Sequence, residues 1–308
     1  MRIVSLQPFM TELLRYLGGG SALVGVSHGC NALKDGPQPA IVTENGRASG
    51  DSDGARLSQG LTPAGMIVKV STLLDLKPDV ILTRCVDADP AHFISWAEQY
   101  LEKRLGKRVS VKSIPVDSMQ QLYGAYEDVG SVVGKGREGR ELAQRLRAQI
   151  QDWTQNFYER MRSKKVTVLG GVRPLAVGSA LLDDLVQNLS GTPQERAEGK
   201  EGTPFTWEEI VQFRSDVIIV APCGASLDES VRTLKEFEAL PSWEDVPAVK
   251  RGEVAFCSGK GFYEPGPHFI KTAALVVSAM AGLDSGYITQ KDEFFRLRFL
   301  ELHRHRFV

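Results

Sequence analysis

The chain has 308 residues, 42% of them hydrophobic, and its 37 basic and 38 acidic residues leave a formal charge of −1. That length can bury two cores of ordinary size. The near-balance excludes nucleic acid and anionic membrane surfaces as partners recognised by charge, and no apolar run is long enough to be inserted across a bilayer.

Met1-Arg2-Ile3-Val4-Ser5-Leu6 passes straight into a strand over Ile3–Leu6, with no apolar export segment ahead of it. The expected location is the cytoplasm, or the periplasm had a signal been trimmed away. Gln7-Pro8 reads as a turn and Glu12–Leu17 as a short helix stopped by Gly18-Gly19-Gly20. Ala22–Val26 is a second strand, followed at once by Ser27-His28-Gly29-Cys30. Residues Asn31–Gly65 are rich in Gly, Asp, Ser and Pro without a sustained period, and predict one long loop. Ser71–Leu76 predicts a helix, Val80–Thr83 a buried parallel strand ending at Arg84-Cys85, Ala91–Leu105 an amphipathic helix, Val109–Ile114 a strand and Met119–Val133 a helix.

A long polar helix follows, from about Gly136 to Lys164. Leu142, Leu146, Ile150, Trp153 and Phe157 step by threes and fours along one face, and Arg, Glu, Gln and Lys cover the rest. Beyond it the plan of the first half recurs. Val166–Leu169 is a strand, Leu181–Leu189 a helix, and Thr192–Gly202 a charged, flexible stretch. Thr206 caps a helix over Trp207–Phe213, with Glu208 and Glu209 in its first turn, where the helix dipole favours acids. Val217–Val220 is a strand ending at Ala221-Pro222-Cys223-Gly224. Ser230–Ala239 is a helix, Glu253–Phe256 a strand ending at Cys257, and Phe269–Ala281 a helix. In each half a helix runs into Lys-Pro-Asp or Arg-Ser-Asp and then a β-branched strand. The domains read as an N-terminal α/β lobe over residues 1–117, connecting helices over 118–164, a second α/β lobe over 165–283 and a tail over 284–308. His303 and His305 in that tail belong to a basic, aromatic, solvated run.

Cys30, Cys85, Cys223 and Cys257 each fall just beyond a predicted strand end, and ligands of open parallel α/β sheets bind outside the carboxyl ends of the strands. In a reducing compartment such thiols are free or bind metal. If the lobes face one another, four thiolates converge on a metal centre. An iron–sulfur cluster of the 4Fe-4S type suits a wide cleft better than a single zinc ion, whose bonds of about 2.3 Å demand close approach. His28 or Arg84 would tune such a centre. No Ser-His-Asp spacing, phosphate loop or paired-carboxylate motif marks an enzyme.

RIVSLQPFMTELL, LVGVSHGC, LLDLKPDVILT, FTWEEIVQFRSDVIIVAPCG, LPSWEDVPAVKRGEVAF and FYEPGPHFI fall in that order up to about Leu283. As a set they resemble the cobalamin-binding branch of the class III solute-binding proteins, the metal-chelate receptors of ABC importers. The resemblance implies two Rossmann-like lobes with parallel sheets, a rigid backbone helix joining them, and a ligand cleft between them. It also implies cleft-lining positions near Pro8, His28, Arg84, Phe205 and Tyr263, with Phe262 and Trp207 as further aromatic neighbours. Receptors of this kind dock on a permease through one Glu per lobe; Glu208 matches the second position, and Ser71 stands at the first. Two functions follow: a cytosolic holder of a four-cysteine iron–sulfur centre, and a binding protein for cobalamin or another metal chelate. The sequence leaves the oligomeric state open.

Overall fold

The computed structural model describes residues 1–30, 38–46, 52–62, 66–85, 87–172, 175–194, 205–284, 286–289 and 294–297. The chain forms two compact units, one of Met1–Val116, Gln120–Gln144 and Pro265–Pro267, the other of Asp117–Met119, Arg145–Glu264 and His268–Val308.

In the first unit the elements run β1 (Ile3–Ser5), α1 (Pro8–Tyr16), β2 (Leu23–Val26), β3 (Ala40–Ile41), β4 (Thr43–Asn45), α2 (Ser52–Leu61), β5 (Met66–Val68), α3 (Val70–Asp75), β6 (Val80–Thr83), α4 (Pro90–Leu105), β7 (Ser110–Ser113) and α5 (Met119–Val132). Five strands form a parallel sheet in the order β3-β2-β1-β6-β7, and β4 and β5 pair antiparallel beside it. Every residue of β6 is buried, as expected of a central strand covered on both faces. Proline opens α1 at its first position, where its missing N–H costs nothing; the predicted Gln7-Pro8 turn is thus the start of the helix. Asp89 caps α4 by accepting from the His92 N–H, and Gly106 closes it in the left-handed conformation.

The predicted loop over Asn31–Gly65 is in part regular structure: within its described residues lie β3, β4 and α2. Composition misled because a glycine, an ordinary sign of a loop, serves packing here. Leu57 and Leu61 of α2 are fully buried against Phe93 and Ala97 of α4. Gly60 is what lets the two helices approach, since a β-carbon there would strike the Phe93 ring.

The long helix α6 spans Gly136–Met161 without interruption, 26 residues or about 39 Å. The second unit continues with β8 (Lys165–Val172), β9 (Leu175–Val177), α7 (Ala180–Asn188), β10 (Thr192–Pro193), α8 (Trp207–Phe213), β11 (Val217–Val220), α9 (Leu227–Arg232), α10 (Leu234–Glu238), α11 (Pro247–Lys250), β12 (Val254–Cys257), α12 (Phe269–Ala281) and β13 (Phe294–Leu297). The sheet order is β10-β8-β11-β12-β13, with β10, β8, β11 and β12 parallel, β13 antiparallel at one edge and β9 antiparallel on β8. Thr206 and Glu209 form a complete capping box on α8. The predicted helix Ser230–Ala239 is two short helices, α9 and α10, meeting at Thr233. His303 and His305 lie outside the described residues.

The repeated plan seen in the sequence has a physical counterpart. Asp79, just before β6, accepts from the backbone N–H of Arg2 at 2.7 Å and from Lys107 Nζ at 2.5 Å, and Arg2 Nε donates to the Leu76 carbonyl. Asp216, just before β11, accepts from the backbone N–H of Lys165 at 2.9 Å and from Arg251 Nη2 at 2.6 Å, and Lys165 Nζ donates to the Phe213 carbonyl. In both units one aspartate ties the start of a central strand to its neighbour and to a cation three residues before the next strand. The aspartate of the Lys-Pro-Asp and Arg-Ser-Asp corners is therefore a register pin.

Candidate functional site

The carboxyl ends of parallel strands are where loops with free backbone and polar side chains emerge together. In the first unit β2, β1 and β6 are neighbours, and their loops carry Ser27-His28-Gly29-Cys30, Gln7-Pro8 and Arg84-Cys85.

Beneath the first of these lies a set of hydroxyls that the sequence reading missed, because Thr43 fell in the predicted loop. Thr43 Oγ1 accepts from the His28 backbone N–H at 2.8 Å, lies 2.8 Å from His28 Nδ1, and donates to Ser27 Oγ at 3.2 Å. Ser27 and Thr43 are both fully buried, whereas His28 is half-buried. The imidazole is thus held at its backbone and at Nδ1. A second chain of donors runs from the Cys30 thiol to Thr11 Oγ1 at 3.2 Å, from Thr11 to Ser5 Oγ at 2.8 Å and from Ser5 to the Gln7 carbonyl at 3.1 Å. It uses the Cys30 S–H as a hydrogen-bond donor. Arg84 is exposed at the end of β6.

The other expected positions lie elsewhere in their local structure. Phe205 belongs to the apolar core of the second unit with Trp207, Ile210, Phe237 and Trp243. Trp207 is equally buried, its indole N–H donating to the Pro241 carbonyl at 2.5 Å, and Phe262 is only 2% exposed. Tyr263 donates its hydroxyl to the Ala221 carbonyl at 2.8 Å, and burial pushes its phenol pKa up. Its oxygen fills the space where a Gly170 β-carbon would stand. These aromatics build the second unit and hold the loop after β11. Pro8 is the first residue of α1.

The four-cysteine centre is corrected. Among the described residues, no three His, Cys, Asp or Glu side chains form a group that could hold a metal ion. Cys257 is not beyond a strand: it is the last residue of β12, paired with Phe294, fully buried, and burial drives its thiol pKa far up. Cys85 is half-buried beside the first unit's apolar core, and burial raises its pKa as well. Its backbone N–H is taken by Ser113 Oγ at 2.9 Å. Cys223 is exposed, with its N–H on the Gly170 carbonyl at 3.1 Å. Cys30, Cys85 and Cys223 do lie beyond the ends of β2, β6 and β11; for Cys257 a strand boundary moved by one residue turns a small core residue into an apparent loop ligand.

Comparisons with known proteins agree with this picture of the fold. The family model described as "Periplasmic binding protein" matches residues 3–260. No curated protein matches the sequence. Among solved structures, the periplasmic vitamin B12-binding protein BtuF of Vibrio cholerae superposes with a TM-score of 0.63 at 15% identity, over 91% of this chain and 96% of its own. IsdE of S. aureus, solved in complex with heme, gives 0.61 at 17% identity over 91% and 98%. A possible iron-binding, periplasmic solute-binding protein of Staphylococcus epidermidis gives 0.63 at 18% over 90% and 97%. At such identities the likeness is one of fold.

Proposed function

We propose that this chain, which belongs to the periplasmic binding protein family, binds a flat metal chelate, a haem or a corrinoid, at the carboxyl ends of the first unit's parallel strands. The family is one of binding proteins, so the task of the site is capture rather than catalysis. The observation that carries the reading is the placement of His28 and Arg84 just beyond the ends of β2 and β6, the two strands that flank β1. Two strand spacings, about 10 Å, separate those ends. That distance suits the width of a macrocycle and exceeds the reach of one metal ion's coordination shell. Both chelate classes carry anionic substituents, carboxylate on haem and phosphate on complete corrinoids, and an exposed guanidinium is the side chain best shaped to meet them.

Solved proteins of the same fold named for vitamin B12 and for heme support the choice of ligand class. Of the two docking positions implied by the family resemblance, Glu208 is an exposed acid in the first turn of α8, while Ser71, exposed on α3, carries no charge. Contact with an importer's permease would therefore rest on the second unit's acid alone.

The test is titration of the purified chain with hemin and with hydroxocobalamin, followed by absorption and by quenching of tryptophan fluorescence. Saturable binding of either at one per chain, weakened about tenfold or more by Arg84→Ala, is the expected result. Absence of binding to both overturns the reading.

A further inference from the structure

We propose that the face of the first unit formed by α2 and α4, centred on Arg56 stacked over Trp96, is a docking site for an acidic segment of a partner protein. The guanidinium carbon of Arg56 lies 4.2 Å from the centre of the Trp96 ring. Trp96 in turn stacks on Tyr100, with centroids 5.6 Å apart and planes 19° from parallel, and the guanidinium carbon of Arg104 lies 5.7 Å from the Tyr100 ring centre. Cation, indole, phenol and cation thus form one ladder across two helices. Both arginines are exposed and both rings are half-buried.

Charge decides what such a face would meet. At about 100° per residue, His92, Tyr100, Lys103 and Arg104 all fall within about 80° of Trp96 around α4, whereas Glu98 and Glu102 fall about 120° or more away. The stripe beside the ladder therefore carries no acid. Glu98 is engaged on its own flank, where it accepts from the Val111 N–H at 2.8 Å. On α2, Asp53 makes no ion pair with Arg56; among the described residues the Arg56 guanidinium has the Trp96 ring for a partner and no carboxylate. The overall charge of −1 conceals this local excess of cations.

Stacking on an indole uses the face of a guanidinium and leaves its N–H edge for hydrogen bonds, so the fork is already ordered when an anion arrives. Carboxylates match that fork. The same stacking argues against a nucleic acid, because bases need open aromatic faces and the faces in this ladder are given to one another and to the guanidiniums. Trp, Tyr and Arg are also the side chains that concentrate binding energy in protein interfaces. A ladder that only stapled α2 to α4 would be served equally by an apolar side chain at position 56, since Leu57 and Leu61 already seat α2 in the core.

The test uses the full chain and a fluorescein-labelled decapeptide of alternating Glu and Asp, followed by fluorescence anisotropy at low salt. The controls are a decapeptide of alternating Gln and Asn and a decamer of deoxythymidine. Saturable binding of the acidic peptide is expected, weakening as salt rises. Arg56→Met keeps an apolar cover on Trp96, so it should unfold in urea close to wild type yet bind about tenfold more weakly. Arg56→Lys should lose most of the same affinity, because an ammonium keeps the charge without the fork. Absence of binding, equal affinity for wild type and Arg56→Met, or equal binding of the Gln-Asn peptide would overturn the proposal. Tighter binding of the oligonucleotide than of the acidic peptide would overturn the choice of partner.

Discussion

Gly60 and Gly124 are both interior glycines of helices, α2 and α5, yet the same substitution at each should have opposite effects. Replacing a helix-interior glycine by alanine gains about 1 kcal/mol from backbone entropy and propensity. At Gly124 nothing lies within 4 Å of the new β-carbon and the position is exposed, so Gly124→Ala should stabilise by about that amount. At Gly60 the β-carbon would fall on three atoms of the Phe93 ring. Phe93 is 1% exposed, packed with Leu57, Leu61 and Ala97 and in ring contact with Trp96 at 5.6 Å, so it has little room to yield. Overpacking of this kind costs about 1–3 kcal/mol, and a walled-in ring belongs at the upper end. Against the propensity gain, the net is a loss of about 2 kcal/mol. Urea unfolding followed by circular dichroism should therefore place the two variants on either side of wild type, about 3 kcal/mol apart. Adding Phe93→Leu to Gly60→Ala should recover part of the loss, which Phe93→Leu alone cannot do. If Gly60→Ala proves as stable as Gly124→Ala, the close approach of α2 to α4 is wrong, and so is the assignment of the glycine-rich stretch to a packed helix.

Arg296 is 12% exposed, pairs with Glu253 and donates to the Ser278, Ala279 and Leu283 carbonyls at the end of α12. Arg296→Met should cost about 3–5 kcal/mol by leaving that acid and those carbonyls without their cation, measured by urea midpoint, and Arg296→Lys should not restore it because a single ammonium lacks the planar fork. In the folded protein Cys223 should react with a thiol reagent within minutes, whereas Cys257 should react only on unfolding, as counted by mass spectrometry. The Asp79 carboxyl is held below its ordinary 3.8 by its hydrogen bonds from Lys107 and the Arg2 backbone. Its contribution is therefore fully present above that value and lost as pH falls through the lowered one. Asp79→Asn should be less stable than wild type at neutral pH, and the gap should close on acidification.

Much of this was legible because it follows from local rules. Val80–Thr83 and Val217–Val220 read as buried strands from their unbroken branched runs, and Thr206 with Glu209 wrote its own helix start. The ordered motifs also pointed to the family that the comparison confirms. What failed depended on contacts distant in sequence. Gly60 reads as a loop residue until Phe93, more than thirty positions away, is known to lie against it. Cys257 reads as a loop ligand until β13 is seen to pair with it. Thr43, the anchor of His28, carries no local sign of its role: a lone threonine amid Gly, Asp and Pro is identified only by the buried serine and the imidazole that share its hydroxyl.

The central claim is that the molecule captures a metal chelate rather than holding a thiolate-bound cluster. The most direct measurement is titration of the chain, purified without oxygen, with hemin and hydroxocobalamin, alongside iron, sulfide and cobalt analysis of the protein before addition. The account predicts saturable uptake of a chelate at one per chain, undiminished when Cys85 and Cys223 are both replaced by Ser. About four irons and four sulfides per chain, lost with those cysteines, and no uptake of either chelate would contradict it.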